Sequence, residues 1–241
     1  MQIEGIVMFQ DREDAARQLA KQLQGIELVN PLVLAIPRGG VVTGAILARE
    51  LGAELDVVIA RKLRAPYQPE LALGAIGENG EVYLNDYAQD ADGYSEQYLE
   101  EEKRHQIEEM ARRKKLFRTV RPAAKVDGRT VIVTDDGIAT GATMMAALCV
   151  LRSQRPLEVI VAVPVSSPDR LEQIRPHCDR VVCLLAPENF WAVGQFYEDF
   201  ASVEDETVVE LLRQAASSRP AHNPSPKKRP TSTRNSKQSV V

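Results

Sequence analysis

The sequence predicts an α/β fold built on a doubly wound, mostly parallel central sheet flanked by helices. Three observations carry that expectation. Short, largely apolar segments recur at residues 32–36, 55–60, 130–134, 157–163 and 181–185, and LVLAI at 32–36 is continuously apolar, as a strand buried on both faces requires. Segments with apolar residues at helical spacing separate them. The loops at residues 37–40, 61–66 and 135–143 then fall at carboxyl ends of predicted strands, where sheets of this class bind ligands.

Residues 11–24 predict the first helix, with Asp11 as N-cap and Ala15, Leu19 and Leu23 along one face. LVLAI at 32–36 is the first strand, residues 41–51 the helix that follows, and residues 55–60 the second strand. Residues 72–76 and 81–84 flank Asn79 and Gly80, a dipeptide suited to a tight hairpin turn. Residues 94–117 predict a long helix whose charge run, EEKRHQIEEMARRKK, is a solvated face with i,i+4 pairs. The strand at 130–134 leads through a loop into a helix at 143–152, and another strand follows at 157–163. Ser167 caps a further helix with Pro168 at its first position. A strand at 181–185 and a helix at 204–214 close the fold. One domain thus covers residues 1–216, with a small hood at about 186–201, before a tail at 217–241.

The chain's 241 residues are 44% hydrophobic and 27% charged, a composition that can bury a core without staples. No run approaches about 18 apolar residues, so no membrane span is expected. The N-terminus lacks the basic start and apolar run of a secretory signal. Cys149, Cys178 and Cys183 form no CxxC pair, which suits reduced thiols and a cytoplasmic location. His105, His177 and His222 are too scattered to build a metal site. After Ser218 the chain carries Arg219, Lys227, Lys228, Arg229, Arg234 and Lys237 and no acid, among four prolines. That composition predicts a disordered basic tail and leaves open a weak, salt-sensitive contact with nucleic acid or acidic surfaces. The acidic remainder argues against the body itself binding nucleic acid.

The chemistry concentrates in VIVTDDGIATGAT, residues 131–143. An apolar strand delivers two adjacent carboxylates, Asp135 and Asp136, at its end. Ala139, Thr140, Gly141, Ala142 and Thr143 then lead into a helix. Small residues let backbone amides approach a ligand, and a helix N-terminus favours an anion. The pattern describes a phosphate cradle beside two carboxylates suited to hydroxyls or a hydrated cation. A Walker A loop would need Lys after Gly141, and no G-x-G-x-x-G dinucleotide fingerprint occurs here or in RGGVVTG at 38–44.

The segment resembles the binding motif for 5-phosphoribosyl 1-pyrophosphate (PRPP) in type I phosphoribosyltransferases. The resemblance runs over roughly residues 5–213 and looks closest to a little-characterised bacterial branch carrying IPRGG and DDGIATGAT. It implies that Asp135 and Asp136 hold the ribose hydroxyls, with Mg²⁺ carried by PRPP nearby, and that residues 139–143 enclose the 5-phosphate. It further implies that Arg38 and Gly39, in an unusual backbone conformation, contact pyrophosphate, together with Lys62. The implied activity is transfer of the phosphoribosyl group to a nitrogen acceptor, a nucleobase or similar, by a homodimer. The alternative is a non-catalytic protein that binds PRPP or a nucleotide and regulates a partner.

Departures from the pattern bear on the acceptor. Ala139 stands where hypoxanthine–guanine enzymes carry an acid, which lowers that specificity. A general base would then come from elsewhere, with Asp86, Asp90 and Asp92 as candidates. Phe190 and Trp191 of the hood would stack a planar acceptor, unless the aromatics form a lid packed on the sheet.

Overall fold

The computed structural model describes residues 8–68, 71–85 and 88–217. In chain order its elements are α1 (Arg12–Leu23), β1 (Leu32–Ala35), α2 (Gly39–Glu50), β2 (Glu54–Val57), β3 (Ala60–Arg64), β4 (Ala72–Gly77), β5 (Val82–Leu84), α3 (Glu96–Arg118), β6 (Thr130–Thr134), α4 (Ala142–Arg152), β7 (Glu158–Val165), α5 (Pro168–Ile174), β8 (Arg180–Leu185) and α6 (Asp205–Ser217). Five strands pair in parallel in the order β2–β1–β6–β7–β8. Because successive side chains of a strand point to opposite faces, each apolar run feeds two cores. Val33, Ala35 and Ile132 pack towards Leu19, Leu47 and Leu212 from α1, α2 and α6. Leu32, Leu34, Val131 and Val133 pack towards Leu148 and Leu151 of α4. The sheet is therefore covered on both sides, as its continuous apolar strands anticipate.

Local signals place several boundaries. Asp11 caps α1 by accepting from the Asp14 amide at 2.8 Å, and α5 starts with Pro168 after Ser167. The hairpin between β4 and β5 turns at Gly80, whose φ of 82° suits glycine. α6 includes Ser217, the residue where composition alone begins the tail, and residues 218–241 lie outside the described residues.

Two expectations need correction. The second strand ends at Val57, and residues 61–66 are no loop at its carboxyl end. Ala60–Arg64 is instead β3, paired antiparallel with β4 in a separate three-stranded sheet. Its sequence, ARKLR, buries only Ala60 and Leu63, so a half-exposed cationic strand reads as a loop. The charge run of α3 is also more than a solvated face. Glu102 and Gln106 are buried between Leu99 and Met110, facing β3.

Buried ion pairs tie the segment after α3 to β2. Arg118 donates from Nη1 to Asp56 at 2.7 Å and from Nε to Glu78 at 2.8 Å. Asp56 also accepts from the Ala124 amide at 2.7 Å. Glu54 pairs with Arg121 and Arg129. Burial works to raise the Glu54 carboxyl, yet the two guanidiniums outweigh it and hold it below the usual range. Removing one partner of a buried pair strands the other charge without solvent. Arg118→Ala should therefore lose about 3–5 kcal/mol in urea denaturation, whereas Arg17→Ala, in an exposed i,i+4 pair with Glu13, should lose at most about 0.5 kcal/mol.

Candidate functional site

The parallel register sets Ala35 of β1 beside Thr134 of β6, so the loops that follow these strands meet. Gly39 and Gly40 open α2 against the two aspartates. A Cβ at Gly39 would lie 1.9 Å from Asp136 Oδ2, and one at Gly40 would lie 2.8 Å from the Asp135 Cα. Neither glycine has positive φ, so both are required by close approach rather than by an unusual backbone conformation. The peptide bond between Pro37 and Arg38 is cis.

Beyond the aspartates the chain crosses to β7, where Ile138 donates to the Val165 carbonyl at 2.9 Å. Ala139 and Thr140 then lie exposed, and Gly141, at φ 78°, turns the chain into α4. No side chain caps α4 from its N-cap position, and Thr143 stands exposed in the first turn. The Ala142 amide meets Thr140 Oγ1 at 3.4 Å, and a helix N-terminus flanked by two hydroxyls suits an anion. α2 likewise has no side-chain cap.

The two carboxylates differ in environment. Asp136 pairs with Arg12, whose Nε lies 2.7 Å from Oδ2. The same guanidinium donates to the Ala201 carbonyl at 2.8 Å and lies 3.8 Å from the centroid of Phe200. Asp135 has no such cation, and its Oδ1 accepts from the Asp136 amide at 2.8 Å. Burial first, and then the adjacent Asp136 carboxylate, push the Asp135 carboxyl well above its ordinary range. Tyr197 donates to the Asp136 carbonyl at 2.6 Å, and burial pushes its phenol up. Arg12 and Tyr197 escape sequence reasoning. Arg12 looks like an ordinary first-turn arginine, and Tyr197 one aromatic among several.

The three predicted pyrophosphate contacts divide between two hollows. Lys62, on β3 rather than in a loop, lines a cavity of about 480 Å³ with Pro37, Ala142 and Thr143. Arg38 lines another, of about 370 Å³, with Arg12, Gly39 and Phe200, and pairs with Glu204 at 3.2 Å. Asp90 and Asp92 are exposed, while Asp86 lies outside the described residues. In the hood Phe190 packs on Phe196 with ring centroids 5.3 Å apart, within a small cluster that includes Phe9 and Tyr197. Trp191 is 89% exposed. The hood aromatics thus mostly form a packed lid, with Trp191 outside it.

Residues 6–201 match the family model described as "Phosphoribosyl transferase domain". Two sequences from strains of Mycobacterium tuberculosis, provisionally named phosphoribosyl transferases, are each 42% identical over 208 residues, covering 86% of this chain and 47% of theirs. The chain thus spans about half the length of these curated relatives. The crystal structure of TT1426 from Thermus thermophilus superimposes with a TM-score of 0.82 at 47% identity, covering 86% of this chain and 98% of that one.

The raised Asp135 carboxyl has a consequence for stability. Between the ordinary carboxylate pKa and this higher one, the folded protein holds a proton that the unfolded chain gives up. Stability therefore falls as pH rises through that window. Asp135→Asn should melt higher than the parent protein at pH 8, by about 2–4 °C for each kcal/mol of relief. The gap should close towards pH 4 in a pH series of thermal melts.

Proposed function

The chain belongs to the phosphoribosyl transferase domain family, and from that premise we propose that it transfers the phosphoribosyl group of PRPP to a nitrogen acceptor with release of pyrophosphate. One observation supports this most strongly. Two adjacent carboxylates and the N-terminus of α4 follow a central strand within contact of the start of α2. Carboxylates accept hydrogen bonds from vicinal hydroxyls, and exposed helix amides hold a phosphate. A ribose 5-phosphate satisfies both demands at once.

In this reading Asp135 and Asp136 accept from the ribose hydroxyls. The amides and hydroxyls of residues 139–143 hold the 5-phosphate. Arg12 keeps Asp136 in place through their 2.7 Å ion pair. The nitrogen nucleophile forms a bond to C1 as the bond from C1 to the pyrophosphate oxygen breaks, and pyrophosphate leaves with the electron pair. The protein's contribution is positioning and charge stabilisation rather than covalent chemistry. The oxygen-rich, incompletely compensated pair at Asp135 and Asp136 fits Mg²⁺ held with PRPP, which would spread the charge of the departing pyrophosphate. The acceptor in this proposal is a nucleobase or a similar planar nitrogen compound. Of the two hood aromatics, Trp191 is exposed and available to stack it, whereas Phe190 is already engaged with Phe196.

Incubation with PRPP, Mg²⁺ and a panel of nucleobases should release pyrophosphate with at least one acceptor. Asp136→Asn should weaken PRPP binding at least tenfold, or about 1.4 kcal/mol, in calorimetric titration. Absence of PRPP binding by the unaltered chain would sink the proposal. Binding without turnover across the panel would favour a regulatory protein.

A further inference from the structure

The cavity of about 480 Å³ carries a charge imbalance that the ribose and 5-phosphate contacts do not use. Arg61, Lys62, Arg64, Arg112 and Arg113 line it, with Glu109 as the one carboxylate among its lining residues. Arg64 is compensated by Glu102 at 2.8 Å and Arg112 by Asp205. Arg61 is held differently. Its Nε donates at 2.5 Å to Oε1 of Gln106, a neutral side chain that is only 1% exposed.

The orientation of that amide follows from its neighbour. Gln106 Nε2 donates at 2.9 Å to Glu102 Oε1, which also accepts from Arg64. Burial raises the Glu102 carboxyl, but hydrogen bonds from Arg64 and Gln106 outweigh it and bring the carboxyl below its ordinary range. An ionised carboxylate only accepts, so Gln106 must turn its amino group to Glu102 and its carbonyl to Arg61. Arg61 is thereby fixed without being neutralised. Two helical turns on from Gln106, and so on the same face of α3, Arg113 is half-buried at the cavity. It has no hydrogen bond or ion pair among the described residues.

We propose that α3 forms the anion-binding wall of the site: Arg61, positioned by Gln106, and Arg113 receive the pyrophosphate group of bound PRPP. The inference rests on the PRPP reading above and extends it to a helix whose charges look merely solvated in sequence. Guanidinium groups suit this task because their planar donor forks pair with phosphate oxygens in bidentate fashion. Gln106 is a positioning residue. Its replacement by glutamate would keep the shape while cancelling the charge of Arg61.

Calorimetric titration of the full chain with PRPP and with ribose 5-phosphate, both with Mg²⁺, tests this directly. Ribose 5-phosphate keeps the sugar and its phosphate but lacks the pyrophosphate. Arg113→Ala and Gln106→Glu should each weaken PRPP at least tenfold while leaving ribose 5-phosphate within twofold, and Arg113→Lys should recover part of the loss. Thermal melts of each variant confirm that it is folded. If the unaltered chain binds neither ligand, the PRPP reading itself fails and this inference with it. If it binds both, and the folded variants either retain PRPP affinity or lose both ligands equally, the anion wall alone is overturned.

Discussion

The approach of Gly39 and Gly40 to Asp136 and Asp135 sets the terms for everything around it. Parallel pairing of β1 with β6 delivers both loops to the same place. A single methyl group at either glycine would collide with the opposite loop. That closeness crowds carboxylates that repel each other, and the fold responds unevenly. Asp136 receives Arg12, while burial and the neighbouring Asp136 carboxylate make Asp135 hold its proton more tightly. An arrangement of this kind is poorly balanced when empty and improves when hydroxyl donors or a cation arrive, as expected of a site shaped for its ligand rather than for stability.

Much of the fold is legible in the sequence because the parallel strands are buried on both faces. Such strands must be continuously apolar, and those at 32–36 and 130–134 differ from β1 and β6 by at most one residue. The loop between β6 and α4 is legible for a related reason. Two acids end an apolar strand, and a run of small residues precedes a helix. β3 is hidden because a strand with a cationic exposed side and short apolar content lacks that signature. The need for glycine at 39 and 40 is visible, but its cause is not, since close approach across two strands leaves no local trace.

Partnerships between distant residues are the least legible. Arg12 and Asp136 stand 124 positions apart, and nothing near Arg12 distinguishes it from the other basic residues of its helix. The buried stripe of α3 poses the same problem in reverse. Glu102 and Gln106 look like solvent residues until β3 supplies Arg64 and Arg61 as partners. In the hood, composition shows that aromatics cluster. Only packing shows that Phe190 joins a small core with Phe196 while Trp191 faces outwards.

The guanidinium of Arg12 also joins parts of the chain made at very different times. It touches Asp136 and the carbonyl of Ala201, 189 positions away, and Tyr197 closes the same circle. During synthesis, then, the loop that carries Asp136 emerges well before Tyr197 and Ala201. Contacts of such long sequence separation form late in folding. A nascent chain released before residue 197 would have its central strands, Asp136 and Arg12, yet lack the Tyr197 hydroxyl and the Ala201 carbonyl that hold them. Premature termination in that stretch would therefore leave Arg12 and Asp136 each short of a partner.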